Sequence, residues 1–316
     1  MALEPGGIGG LEVPALGRTR FSRHGLGGLR SQARAVDVVI AHGSSTLPAV
    51  SVATVGLSTP FVYRSIGDPA AWATTAARRG RIRVAARRAA GVVALWRGAA
   101  VFWHEVLGVR ADRIRVIPNW VEARRFPRVT SEARASARVQ LGLPAESPIA
   151  LCLGALTPEK QVDLAVRAVG SMDDHILLVV GDGPERAALS SLASRWPTRV
   201  RLTGPTDDPA VPLAASDVLV VPSKTEGQPA VAIEAGLTGI PVVAARVGGL
   251  PDVVMDGRSG ILVDHPSPEV LAKAIAEATA NRDAMGAAGR QHCLNQFDVD
   301  RIGRIWLKLL QQLHTG

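Results

Sequence analysis

Two carboxylates with seven residues between them stand out in Val220-Val-Pro-Ser-Lys-Thr-Glu226-Gly-Gln-Pro-Ala-Val-Ala-Ile-Glu234. An apolar strand ends at Val221, a loop carries Glu226 and Gly227, and Pro229 suits the first turn of a helix that places Glu234 between one and two turns in. Both glutamates then overlook the C-terminal edge of a sheet, where open α/β domains bind ligands. The backbone N–H groups of Gly227 to Ala230 would form an anion site at the helix N-terminus, and the carboxylates can accept hydrogen bonds from sugar hydroxyls. A phosphate flanked by polyols is a nucleotide sugar. Read without chemistry, Glu226 is a helix-start acid and Glu234 a solvated helix residue.

The elements that must position these residues follow from the pattern of apolar runs. Ile149 to Gly154, Ile176 to Val180, Val200 to Thr203, Val218 to Val221, Pro241 to Ala244 and Gly260 to Val263 read as strands, separated by amphipathic segments at 162–169, 186–192 and 231–237. Short continuous apolar strands alternating with helices predict a parallel sheet covered on both faces. The first half repeats this pattern less fully, with strands at 37–41, 60–63, 92–95 and 114–117 and helices at 70–90 and 99–107. Glu122 to Pro148, with Pro127, Pro144 and Pro148 around a charged stretch, reads as a linker. The predicted fold is α/β, two doubly wound Rossmann-like domains facing across a cleft.

At 316 residues, 47% hydrophobic and 20% charged, the chain is too long for one ordinary core and too apolar for disorder. Cys152 and Cys293 are the only cysteines, which excludes a disulfide framework or structural zinc and suggests a reducing cytoplasm. No apolar run is long enough to span a membrane, and the opening Met-Ala-Leu-Glu-Pro-Gly-Gly lacks a signal peptide's basic and apolar regions. The first ten residues, rich in glycine, read as disordered. Residues 1–140 carry 21 Lys and Arg against 8 Asp and Glu, whereas residues 141–316 carry 15 against 20. Nearly all the cation is arginine; only Lys160, Lys224, Lys273 and Lys308 are lysine.

The Glu-x7-Glu stretch, with Gly239 to Asp252 and Asp256 to Val263 after it, strongly resembles family 4 of the retaining glycosyltransferases, which have the GT-B fold. The resemblance extends upstream through Val116-Ile-Pro-Asn-Trp-Val121 with Arg125-Phe126, then Leu153 to Lys160, Leu178 to Glu185, Val200 to Gly204 and Ala215 to Val218. It is dense over residues 110–316 and loose over 36–110. It implies that Glu234 grips the ribose of a nucleoside-diphosphate-sugar donor, that Glu226 meets the transferred sugar, and that Lys160 meets the diphosphate. Glu226 and Lys160 are the catalytic candidates. Gly227, Gln228, Pro229, Ala230, Gly154 and Gly204 join Glu234 as donor-binding candidates. No cofactor or divalent metal is expected.

Two positions depart from the family pattern. Ala155 stands where the family usually has an arginine for the diphosphate, and Ile66 where many relatives carry a histidine, with Arg64 and Asp68 as local replacements. His42, after a strand, is an acceptor-side candidate with Arg64 and Asp68, or else structural. The Gly181-Asp-Gly-Pro184 stretch reads as a strand-to-helix turn, and Asp298-Val-Asp300 as the cap of a final helix at 302–313 rather than a metal motif. Arg78, Arg79, Arg81, Arg83, Arg87 and Arg88 put cations nearly all round a helix broken by Gly80, suggesting an anionic membrane surface or acidic acceptor. No nucleic-acid motif accompanies them.

The expected division is an acceptor-side domain over 1–143, a nucleotide-sugar domain over 144–296 and a helix over 297–316 packing back on the first. The first domain is expected to lack the family's opening strand and Gly-rich loop. The predicted function is transfer of a sugar to a lipid-linked, glycan or small-molecule hydroxyl with retention, in the cytoplasm or at the inner membrane face. The rival reading is a GT-B module that binds a nucleotide sugar or partner without turnover.

Overall fold

The computed structural model describes residues 21–43 and 45–314; the expectations for the first ten residues and for a leader lie outside them. The chain divides into two compact units, one running up to Pro118 and resuming at Gly303, the other Asn119–Ile302.

Unit 1 is built from α1 (Arg23–Arg34), β1 (Val39–His42), α2 (Thr46–Ala53), β2 (Phe61–Ser65), α3 (Pro69–Trp72), α4 (Ala76–Ala86), β3 (Gly91–Ala94), α5 (Arg97–Val101) and β4 (Ile114–Val116). The strands form a parallel sheet in the order β1-β2-β3-β4. Phe61, Tyr63, Leu47, Ile82 and Trp103 fill its core. The helix predicted over 70–90 is two helices, because Thr75 takes extended backbone and its hydroxyl accepts the Arg78 N–H at 3.2 Å, starting a new helix. That second helix, α4, runs unbroken through Gly80. The helix predicted over 99–107 is α5 followed by a π-helical turn at Phe102–Val106.

Unit 2 contains α6 (Ser131–Gln140), β5 (Ile149–Leu153), α7 (Val162–Gly170), β6 (Ile176–Val180), α8 (Arg186–Ala193), β7 (Val200–Thr203), α9 (Ala210–Ala215) and β8 (Val218–Val221). It continues with α10 (Ala230–Thr238), β9 (Val242–Ala245), α11 (Leu250–Val253), β10 (Gly260–Val263), α12 (Pro268–Ala280) and α13 (Arg282–Phe297). Its six parallel strands lie in the order β10-β9-β8-β5-β6-β7. Along β5, Ile149 and Leu151 enter one apolar core while Ala150 and Cys152 enter the other. Side chains alternate across a strand, so a strand clad on both faces needs every position apolar, as the sequence of β5 has it. The last helix, α14 (Val299–His314), starts at the end of unit 2, and its residues from Gly303 cluster with unit 1.

The boundary at Pro118 corrects the one expected at Leu143. The supposed linker carries α6, and two of its arginines reach Asp217 just before β8. Arg134 Nη1 lies 2.9 Å from one Asp217 oxygen and Arg138 Nη2 2.7 Å from the other. The Ile149 N–H donates to the same carboxylate at 2.8 Å, which pins the start of β5. A buried arginine needs such a partner, and the partner belongs to unit 2.

Candidate functional site

The order of the second sheet brings the predicted catalytic pair together. From β5 the chain winds outward to β6 and β7, then returns to lay β8 on the other side of β5. The carboxyl ends of β5 and β8 flank that change of direction, the place where open α/β sheets hold ligands. Lys160 follows β5 and Glu226 follows β8; their side chains meet at 2.7 Å, Nζ to Oε1. The Ser223 hydroxyl donates to the same Glu226 oxygen, also at 2.7 Å. Glu226 is buried, while Lys160 keeps 32% of its side chain exposed and can reach a ligand. A small cavity of about 40 Å³ lined by Gly154, Lys160, Ser223 and Glu226 lies here.

The loop from Glu226 to α10 is held from two sides. Gly248 has φ +55°, and a Cβ there would overlap the Glu226 carbonyl oxygen, so only glycine permits this approach. The next amide, Gly249 N–H, donates to the Gly227 carbonyl at 2.6 Å. On the other side, Asn119 donates its backbone N–H to Gln228 Oε1 and its side-chain amide to the Gln228 carbonyl, each at 2.6 Å. Gln228, expected to bind donor, thus has its side-chain oxygen engaged with Asn119. Pro229 caps α10 in extended conformation and Ala230 begins it, so the first amides of a nine-residue helix point from the sheet edge beside Glu226.

Glu234 sits one turn into α10 and is half-buried. Burial raises its carboxyl above the usual carboxylate range, and the nearby positive charge of Arg125 opposes that rise. Gly204 follows β7, two strands from β5, and its carbonyl accepts the Gly181 N–H at 3.2 Å. It shares the sheet edge with the other donor candidates without being brought next to them. Gly181 belongs to the turn expected after β6; a Cβ there would overlap the Gly154 carbonyl. This close packing ties the β5 and β6 turns together.

In unit 1, His42 ends β1 directly opposite Arg64 on β2, with Arg64 Nη1 3.5 Å from His42 Nδ1. Desolvation, then the Arg64 charge, lowers the His42 pKa. The Arg64 guanidinium also lies 5.9 Å from the Trp306 ring of α14. Asp68 caps α3, accepting the Ala70 N–H at 3.0 Å, which gives it a structural duty. Asp298 likewise accepts the Asp300 N–H at 3.0 Å at the start of α14. Among the described residues no three His, Cys, Asp or Glu gather as metal ligands, and Cys152 and Cys293 are buried free thiols.

The arginine stretch is not the all-round cationic helix expected. Ile82, Ala85 and Ala86 form a buried face of α4. Arg79 donates to the Ala73 and Thr74 carbonyls, Arg83 to Val106 and Arg88 to Thr54. Arg78 and Arg81 remain exposed on α4.

Ser223, Asn119 and Trp306 escaped the sequence reading as partners of the site residues. The first two lie inside stretches already singled out, but hydrogen bonding across 109 residues, as between Asn119 and Gln228, leaves no local signal.

Two parallel-sheet, Rossmann-like units give the chain a GT-B fold. Residues 147–281 match the family profile described as glycosyl transferases group 1. Among curated proteins, the chain is 38% identical over 205 residues to the D-inositol 3-phosphate glycosyltransferase of Streptomyces griseus, covering 58% of this chain and 43% of that one. It is 34% identical over 211 residues to the GDP-mannose-dependent alpha-(1-6)-phosphatidylinositol monomannoside mannosyltransferase of Mycobacterium tuberculosis, covering 61% and 54%. The chain thus spans about half the length of the curated relatives it matches. Its fold is similar to that of Anabaena HepE in complex with UDP, with a TM-score of 0.84, 22% identity and coverage of 91% and 82%. Sucrose-phosphate synthase of Thermosynechococcus elongatus gives a TM-score of 0.82 at 22% identity, covering 99% and 88%.

Proposed function

We propose that the protein transfers a sugar from a nucleoside-diphosphate-sugar to an acceptor hydroxyl with retention of anomeric configuration. The observation that carries this reading is the Lys160–Glu226 pair at the switch point, beside the N-terminus of α10. In the proposed reaction the bond from the anomeric carbon to the diphosphate breaks and the acceptor oxygen bonds to that carbon from the same face. The acceptor proton passes to the departing phosphate oxygen. Negative charge grows on the diphosphate, and Lys160 with the α10 amides stabilises it, with no metal required by the proposal. Glu226 would accept hydroxyls of the sugar and Glu234 those of the ribose. The relatives' names favour a lipid-linked or small phosphorylated polyol as acceptor class, beside other glycans. Incubation with UDP-glucose and GDP-mannose, scored by nucleoside diphosphate release and the anomeric signal of the product, tests the reading. Release from neither, with a folded protein, would favour the non-catalytic module, to which Ala155 also points.

Glu234→Ala is expected to weaken donor binding by about 3 kcal/mol, roughly 100-fold, since two charge-assisted bonds to ribose hydroxyls are lost. The ionised carboxylate is the acceptor, and burial raises its pKa. Donor affinity should therefore fall as pH is lowered through that raised value, and the variant should lose this pH dependence. Calorimetric titration of both proteins across pH measures it; equal affinity at every pH would remove Glu234 from the site.

No helix among the described residues is long and apolar enough to cross a membrane. Residues 21–118 carry 14 arginines against 4 acidic side chains, so reversible attachment to anionic membranes is part of the proposal, Arg78 and Arg81 each contributing about 1 kcal/mol. Sedimentation with vesicles should show binding that weakens with salt. Equal sedimentation with neutral and anionic vesicles would refute attachment by charge.

A further inference from the structure

The edge of the unit 1 sheet opposite His42 and Arg64 gathers the loops that precede β2, β3 and β4. Two adjoining cavities of about 350 and 300 Å³ open there, sharing Arg87 and Arg113. Their charged lining consists of five arginines, Arg83, Arg87, Arg88, Arg110 and Arg113, drawn from the end of α4 and from the turn before β4. No carboxylate lines either cavity. The neighbouring Asp112 is held by Arg110 at 2.6 Å, with both side chains mostly exposed.

Five like charges around a shared opening repel one another, which disfavours their convergence unless an anion is present. Three of these arginines are nonetheless fixed in place by backbone carbonyls. Arg83 Nη2 donates to Val106 at 2.6 Å, Arg88 Nη2 to Thr54 at 3.2 Å and Arg113 Nη1 to Arg87 at 3.5 Å. Each guanidinium carries five N–H donors, so one bond to a carbonyl sets its position and leaves a fork for a ligand. Gly108, at φ +68°, lies in the lining, and a Cβ there would come within 4.0 Å of Arg83 Nε. Apart from Arg110, whose fork is engaged by Asp112, these planar forks meet no carboxylate in the cavity lining and match the paired oxygens of phosphate.

We propose that this edge of unit 1 is a binding site for a phosphate group, separate from the Lys160–Glu226 site and independent of the proposed transfer reaction. Either a soluble phosphate ester or the headgroup of an anionic lipid would present that chemistry. The probe is inorganic pyrophosphate, titrated calorimetrically into the full chain carrying Lys160→Ala, which removes a cation from the other candidate phosphate site. Adding Arg87→Gln and Arg113→Gln, both exposed, is expected to weaken binding about tenfold or more at low salt, since two charged forks are lost. Arg78→Gln with Arg81→Gln, on α4 outside the cavities, should change it by less than about twofold, as remote exposed charges are screened. Circular dichroism confirms that each variant is folded. Equal binding with and without Arg87 and Arg113, or an equal loss in the Arg78 and Arg81 control, would overturn the site in favour of general charge attraction. Vesicles of phosphatidylcholine containing phosphatidic acid separate the sources. Vesicle binding that pyrophosphate displaces and Arg87→Gln/Arg113→Gln abolishes assigns the lipid headgroup; pyrophosphate binding without vesicle binding assigns the soluble phosphate.

Discussion

Lys160→Ala is expected to lower the rate of sugar transfer about 100- to 1000-fold, the effect of deleting one preorganised group that stabilises charge developing in a transition state. Lys160 meets Glu226 at 2.7 Å, keeps part of its side chain exposed and lines the cavity there, so in the proposed reaction its charge is in place before the donor arrives. In the proposed reaction the diphosphate gains charge as the sugar leaves, so the loss should fall mainly on kcat, with a smaller change in KM. Lys160→Arg keeps the charge in a different geometry and should recover part of the rate. Steady-state release of nucleoside diphosphate, with melting curves to show that each variant is folded, gives the answer. A folded alanine variant within threefold of the parent rate would sink the assignment.

The second large effect concerns stability. Asp217→Ala should destabilise unit 2 by about 3 to 5 kcal/mol, because it strips the counter-charge from buried Arg138 and largely buried Arg134. It also removes the acceptor of the Ile149 N–H at the start of β5. At about 2 to 4 °C per kcal/mol for a domain of this size, the unit 2 melting transition should drop by roughly 10 °C. Asp217→Asn keeps an acceptor for that N–H and should lose less. Calorimetry reads both. If Asp217→Ala melted within 2 °C of the parent, α6 would be held to unit 2 by apolar contacts alone.

Much of the fold was legible because its signals are short-range. Continuous apolar runs of four or five residues mark strands buried on both faces, and such runs predicted five of the six strands of the second sheet to within a residue or two; the sixth, the edge strand β7, carries Arg201. The helix start after Glu226 was legible for the same reason: strand end, loop, proline and amphipathic helix are consecutive. In unit 1 the strands are equally local, but a threonine cap divides the helix predicted over 70–90, since alanine and arginine alone favour a continuous helix.

What the sequence determined by itself, then, is which segments are strands and helices, which faces are apolar, and that Glu226, Glu234 and Lys160 all lie near strand ends or helix starts. Only the tertiary structure decided which ends are neighbours. Lys160 and Glu226 are 66 residues apart and meet because β8 returns to pair with β5. Arg138 and Asp217, 79 apart, move the unit boundary from Leu143 to Pro118, and the five cavity arginines gather from two segments. The physical reason is that a strand's own pattern sets its burial and not its partner. Pairing order follows from clothing both faces of the whole sheet at once with right-handed crossovers, and distant charges then find or lack partners according to that order.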